Sequence, residues 1–199
     1  MIWPFKRASL LSYADVRLER EAVFLRPAML DDYSQWLDVR SKNQLFLRPF
    51  EPQWPKDCLT KDFFYRRVEN LKTQWNNDKT YNFLIFEKNS KHLVGGINVN
   101  NVCRGAAQYG SLGYWLSQDC QGKGYMTMAG KAALEFSFFE IGLHRMNAAT
   151  LLHNQKSKNL LHRLGFVEEG MAKKFVQING LRQDHLLFGL NADDFLAKE

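Results

Sequence analysis

The fourteen residues from Gly113 to Met126 hold the part of the sequence best suited to chemistry: Gly113-Tyr114-Trp115-Leu116-Ser117-Gln118-Asp119-Cys120-Gln121-Gly122-Lys123-Gly124-Tyr125-Met126. A strand-like aromatic run enters a glycine-bearing turn, and helix formers follow. Gly122 and Gly124 let backbone N–H groups converge with no Cβ in the way. The positive end of the helix that opens there, together with Lys123, favours an anion such as a pyrophosphate. A Gly-Lys-Gly turn alone equally serves a tight helix opening. The strand before it and the helix after it are what suggest an anion site over Gln121 to Met126. Cys120 has nothing basic beside it in sequence and reads as a small apolar residue rather than a nucleophile.

The elements that must position this turn follow from hydrophobic period. Val16 to Arg26 reads as a strand through Val23-Phe24-Leu25 and stops at Pro27, and Met29 to Lys42 has helical spacing through Leu30, Tyr33, Trp36, Leu37 and Arg40. Leu45 to Pro55 holds three prolines and large aromatics and reads as an ordered loop, followed by a helix over Cys58 to Trp75. Tyr81 to Phe86 and Leu93 to Val102 flank the polar turn Glu87 to His92 as an antiparallel hairpin, and Ser111 to Leu116 is the next strand. Gly124 to Ile141 reads as a helix stopped by Gly142, Arg145 to Leu151 as a strand, and Asn154 to Leu164 as a short helix that Asn154 is placed to cap. Gly165-Phe166 leads into a further strand. Phe175 to Ile178 and Leu186 to Leu190 enclose Asn179-Gly180, a pair suited to a tight reversal.

Composition narrows the class. A chain of 199 residues, 45% hydrophobic, can bury one substantial core, so one domain over 1–199 is expected, its core at about 16–190. The balance of 27 Lys and Arg against 21 Asp and Glu, formally +6, favours anionic ligands. The cations are spread along the chain with no RNA-binding signature, which argues against direct nucleic-acid binding. Cys58, Cys103 and Cys120 are odd in number, far apart and free of any CxxC pair, so no disulfide framework and no metal site is suggested, and a reducing cytoplasm is the expected compartment. Met1 to Tyr13 carries Lys6 and Arg7 but too few apolar residues for a signal segment. No apolar run approaches the roughly 18 residues of a membrane span.

Gln121-Gly122-Lys123-Gly124-Tyr125-Met126 resembles the Q/R-x-x-G-x-G/A signature of the GNAT superfamily of N-acetyltransferases, with a strand before it and a helix after it as that family has. Leu143-His144-Arg145, Asn154-Gln155-Lys156-Ser157, Leu160 to Phe166 and Glu168-Glu169-Gly170 resemble the ribosomal-protein N-terminal acetyltransferase branch in order and spacing. Within it, Asn43 to Pro52, Asn100 to Gly105 and Gly180 to His185 are similar to the enzymes acting on alanine N-termini. The resemblance covers roughly Val16 to Leu190. It implies a single-domain α/β GNAT fold: a central, mixed but mostly antiparallel sheet flanked by helices and splayed between its fourth and fifth strands near Leu116.

The resemblance also implies acetyl-CoA as acetyl donor and direct attack by an amine. Pantetheine would lie in the splay against backbone groups of Tyr114, Trp115 and Leu116, with an N–H aimed at the thioester oxygen. The phosphates would sit on Gln121 to Met126. Many superfamily members carry a glutamate on the fourth strand and a tyrosine on the helix after the fifth, where this chain has Ser111 and Leu161. The branch instead implies Asn154 and Ser157 at the cofactor, with the Ser157 hydroxyl near the sulfur as proton donor. For the base the first candidate is Glu51, between prolines in a loop that overlooks the acceptor in the family; Asp184 and His185 are weaker choices, and His144 and His153 read as scaffold.

An α-amine has a pKa of about 7.7 to 8.0 against about 10.4 for lysine, so roughly a tenth of N-termini are neutral at pH 7. A site without a strong base therefore suits an N-terminal amine, and the resemblance implies that of a ribosomal protein beginning with Ala or Ser. Two alternatives stay open: acetylation of a small amine such as a polyamine, amino acid or aminoglycoside, and a non-catalytic acetyl-CoA-binding protein associated with the ribosome.

Overall fold

Alternating apolar side chains on both faces make the middle strands the spine of the protein. The computed structural model describes residues 12–197; residues 1–11, most of the stretch weighed above as a signal segment, lie outside it. Tyr81, Phe83 and Ile85 bury into one hydrophobic cluster, and Leu84 and Phe86 into a second on the opposite face. The unbroken apolar run of this strand is the mark of a strand covered on both sides.

Among the described residues, eight strands form one sheet in the order β1-β2-β3-β4-β5-β6-β8-β7. They are β1 Leu18–Glu19, β2 Val23–Arg26, β3 Tyr81–Glu87, β4 Leu93–Cys103, β5 Tyr109–Leu116, β6 Arg145–Leu151, β7 Val167–Ile178 and β8 Leu181–Asn191. Every neighbouring pair is antiparallel except β5 and β6. One face carries α1 Tyr33–Lys42, the single turn α2 Gln44–Leu47 and α3 Lys61–Asn76. Trp36, Phe64 and Val68 pack there on Phe24, Leu84, Phe86 and Leu93. The other face carries α4 Tyr125–Glu135, whose Ala129 and Ala133 lie fully buried against the sheet, and α5 Gln155–Arg163.

The expected α/β architecture is present, with differences at particular elements. The strand expected over Val16–Arg26 is a tight two-stranded unit: the chain reverses at Arg20-Glu21-Ala22, Arg20 N–H donating to Val23 O, so that Leu18 pairs with Leu25. The strand ending at Leu116 is therefore fifth rather than fourth. Leu45 to Pro55 begins as helix, α2 followed by a 3-10 turn over Arg48–Phe50; Pro49 fits at the start of that turn, where no intrahelical N–H is needed. The helix expected from Cys58 starts at Lys61 because the Thr60 hydroxyl caps it, accepting from Phe63 N–H. The helix expected over Gly124–Ile141 is α-helical to Glu135 and finishes as a π-turn over Phe136–Glu140. The last hairpin is longer than its apolar segments suggested, since bulges between Glu168 and Gly170 and between Ala172 and Val176 interrupt the alternation. A terminal helix, α6 Ala192–Leu196, places Phe195 on Phe138.

Candidate active site

A gap in the sheet organises the site. β5 and β6 pair in parallel from Tyr109 opposite Arg145 to Leu112 opposite Ala148, and there the pairing ends. Gly113 to Leu116 continue along β4, and Ala149 to Leu151 continue along β8. Each strand keeps its outer ladder while the inner backbone edges part, which leaves backbone donors and acceptors facing an opening. This is the splay expected near Leu116.

The opening leads into the glycine turn. Asn43, buried between α1 and α2, pins the exit of β5: its amide nitrogen donates to Ser117 Oγ at 3.0 Å, and its Oδ1 accepts from Gln118 N–H at 2.8 Å. Gly122 and Gly124 then take φ of 76° and 77°, a left-handed conformation in which a side chain is strained. An added Cβ would meet nothing within 4 Å at Gly122 and only Met128 Cε, at 3.5 Å, at Gly124, so the glycines are demanded by dihedral rather than by space. Gly124 is the N-cap of α4 and supplies no side-chain cap, so the first N–H groups of the helix stay available to an anion. Gly122, Lys123 and Gly124 are exposed.

Tyr125 and Met126 differ from their neighbours. Both side chains are buried, and the Tyr125 hydroxyl donates to Glu87 at the end of β3, so these two residues anchor the turn and present only backbone to a ligand. Gln121 Oε1 accepts from Lys156 Nζ at 2.6 Å, which brings a cation from the first turn of α5 onto the turn.

On the same side of the sheet, α5 closes over β5. Asn154 Oδ1 accepts from Ser157 N–H at 3.1 Å and caps α5, while Ser157 Oγ shares a 2.7 Å hydrogen bond with the Tyr114 hydroxyl. Burial pushes the Tyr114 phenol up to about 12, against a smaller opposite pull from Ser157, so the group is a neutral hydroxyl throughout the physiological range. Tyr114 entered the sequence reading through its backbone alone. Its hydroxyl partner is 43 residues away and no local pattern announces it.

Burial is also the main influence on Cys120, raising its thiol, with Lys123 the largest opposing influence. It is no ready thiolate. Ser111 lies between Asn100 and Asn147 in register, and Leu161 is fully buried in the core.

Glu51 sits on the opposite face of the sheet. Its Oε1 accepts from Arg40 at 2.7 Å, its Oε2 from Arg40 at 2.6 Å and from Trp54 Nε1 at 2.7 Å. The Arg40 guanidinium lies 4.2 Å from the Trp54 ring centroid and 4.9 Å from that of Trp115. Trp115 in turn lies across Gly96 of β4, where an added Cβ would fall 2.5 Å from its Nε1. Because side chains alternate along β5, Tyr114 packs toward α5 and Trp115 toward the α1 and α3 face. The Glu51 carbonyl accepts from Asn179 N–H at the tip of the β7–β8 hairpin, at 2.9 Å, and Phe50 lies against His153. The carboxylate first considered as a base is thus held on both oxygens by a guanidinium fork and an indole.

The other candidates lie on β8 and at the ends of β6, His185 opposite Leu151 in register. Asp184 Oδ1 accepts from Lys174 N–H and braces the bulged hairpin, lining with His153 a cavity of about 270 Å³. His185 is buried with Nδ1 at 3.0 Å from Gln183 O. His144 is exposed at the far end of β6, its backbone bonded to Gln108 and Ala192. Among the described residues no group of three or more His, Cys, Asp or Glu side chains could hold a metal ion, and no helix is long and apolar enough to cross a membrane.

Comparison with known proteins identifies the family. Residues 22–167 match the family model described as an acetyltransferase (GNAT) domain. The chain is 32% identical to the probable N-acetyltransferase YjcK of Bacillus subtilis over 89% of its own length and 98% of that protein. It is also 32% identical to the ribosomal protein uS5-alanine N-acetyltransferase of Escherichia coli, over 90% of this chain and 93% of that one. The solved structure of Mycobacterium smegmatis RimJ in complex with CoA-disulfide superposes with a TM-score of 0.85 at 28% identity, covering 92% of this chain and 90% of that one.

Proposed function

The chain belongs to the GNAT acetyltransferase family, and from that premise we propose that it transfers acetyl from acetyl-CoA to the N-terminal amine of a ribosomal protein beginning with Ala or Ser. The observation that carries this reading is the Tyr114–Ser157 hydroxyl pair, which bridges β5 and α5 beside the opening and next to the glycine turn. The E. coli relative is named for acetylating an alanine of ribosomal protein uS5, and M. smegmatis RimJ was solved with CoA-disulfide. Ribosomal substrates fit a cytoplasmic enzyme.

In this reading the backbone N–H groups of Gln121 to Met126, with Lys123 and Lys156, hold the donor's phosphates, and the unpaired edge of Tyr114 to Leu116 holds the pantetheine amides. The amine nitrogen attacks the thioester carbonyl, an edge N–H steadies the oxyanion, and the C–S bond breaks as the amide forms. The departing thiolate takes its proton from Ser157, whose hydroxyl Tyr114 orients, and Ser157 regains a proton from solvent. The amine's own proton leaves to solvent, because Glu51 is committed to Arg40 and Trp54 and because about a tenth of α-amines are already neutral at pH 7.

The test is thiol release from acetyl-CoA with Ala- and Ser-starting ribosomal peptides, lysine-only peptides, polyamines and aminoglycosides. Turnover confined to free peptide N-termini is the expected result. Turnover confined to small amines would overturn the acceptor assignment, and acetyl-CoA binding without turnover of any acceptor would point to a non-catalytic role.

A further inference from the structure

We infer that Arg40 sets acceptor specificity: by occupying Glu51 it removes the free carboxylate that would otherwise capture polycationic amines at the acceptor wall. The inference rests on the acetyltransferase reading only in taking the face opposite α4 and α5 as the side from which the amine arrives.

That face beside the opening is built from Trp115, Arg40, Glu51 and Trp54. Glu51 is the sole acidic residue between Asn43 and Lys56. A free carboxylate at such a place is the group that an ammonium chain would seek. Here both oxygens are engaged by Arg40, and the two side chains are only 13% and 19% exposed, so the pair is not a solvated surface contact. The guanidinium is also held independently of Glu51, its carbon within 5 Å of two indole centroids. A planar, delocalised cation suits that slot, and a lysine ammonium would not reproduce both the stacking and the fork. The wall therefore presents indoles and a neutralised ion pair: a surface that accepts an uncharged amine on a peptide and gives a polyamine no counter-charge.

The experiment compares Arg40→Gln with the parent for spermidine and for an Ala-starting peptide, alongside calorimetric spermidine affinity in the presence of acetyl-CoA. The expected result is a rise of about tenfold or more in the spermidine-to-peptide ratio of kcat/KM, residing in KM, and spermidine binding tighter by a similar factor, both shrinking as salt is raised. Arg40→Gln combined with Glu51→Gln should return both readouts to parental values. A uniform loss on all acceptors with the ratio unchanged, or a spermidine gain that survives in the double variant, would overturn the inference. Should Arg40→Gln not fold, Glu51→Gln alone decides: it should weaken spermidine binding further by leaving Arg40 unpaired, and unchanged binding would count against the idea. Absence of peptide turnover in the parent would refute the ribosomal acceptor, whereas the parent-to-variant difference in spermidine binding judges Arg40 separately.

Discussion

The two faces of the parted sheet are built on different principles. On the α4 and α5 face, the proposed donor side rests on one short run of backbone: two left-handed glycines, an uncapped helix start and a strand edge, all between Tyr114 and Met126. On the α1 and α3 face, the proposed acceptor wall is made of side chains from distant segments, Arg40, Glu51, Trp54 and Trp115, fastened to the hairpin tip through Asn179. A group common to every acetyl-CoA can be met by backbone, which has no side chain to vary. Discrimination between amines falls to side chains, and those are assembled only when the chain folds.

The sharpest way to break that contrast is at Gly124. A valine there would be forced into a left-handed conformation at a cost of about 1–2 kcal/mol, or would rotate the turn out of its anion-binding geometry. We expect acetyl-CoA affinity to fall by two orders of magnitude or more, on the order of 3 kcal/mol, with the folded content seen by circular dichroism retained. Parental affinity in titration calorimetry would remove the glycine turn from the donor site.

Ser157→Ala should lower kcat by about 100-fold while acetyl-CoA affinity stays near that of the parent, and Tyr114→Phe by about tenfold, since it removes the group that orients the donor but not the donor itself. Equal losses would mean that the two hydroxyls act as one unit. Burial raises the Tyr114 pKa from its usual value of about 10 to about 12, so the folded state holds that proton more tightly than the unfolded chain. Its contribution to stability is full below pH of about 10 and is lost as pH climbs to about 12, a loss that Tyr114→Phe should abolish in pH-dependent melts. The rate profile should rise with the neutral fraction of the amine at about pH 7.7 to 8.0 and show no falling limb from Tyr114 before pH of about 10.

Smaller effects separate the two faces cleanly. Lys156→Ala should weaken acetyl-CoA by about three- to tenfold, less at high salt, and leave the acceptor KM unchanged. Trp54→Phe keeps a ring on Arg40 but deletes the indole bond to Glu51. It should raise the acceptor KM by about two- to fivefold with no change in acetyl-CoA affinity. Cross-effects in steady-state kinetics, Lys156 on the acceptor or Trp54 on the donor, would show that the faces are energetically coupled.

The same division explains what could be read in advance. Arg145 to Leu151 was legible to the residue, and the glycine turn was legible because its partners are its neighbours in sequence. The Arg20 reversal was hidden by the β-prone residues around it, and α2 by the prolines that follow. Arg40 was visible only as one position in a helical period. Nothing local tied it to Glu51, or Asn43 to Ser117 across 74 residues, or Tyr114 to Ser157. Contacts of that kind depend on which faces the topology brings together, and alternation of apolar residues does not specify them.

Among the described residues, the four residue pairs between Tyr109–Leu112 and Arg145–Ala148, extended by the bonds of His144 and Arg145 N–H to Gln108 O, form the seam between a five-stranded ladder, β1 to β5, and a three-stranded one, β6 to β8. In mechanical terms the sheet is two plates joined along part of one edge. A ligand carrying its own amides would lengthen the seam by acting as a borrowed strand, so amide-hydrogen exchange should slow at Gly113 to Leu116 when the donor binds. Substrate occupancy would then be recorded as added stiffness between the plates, and an enzyme saturated with donor would resist heat and proteolysis as a more fully stitched sheet.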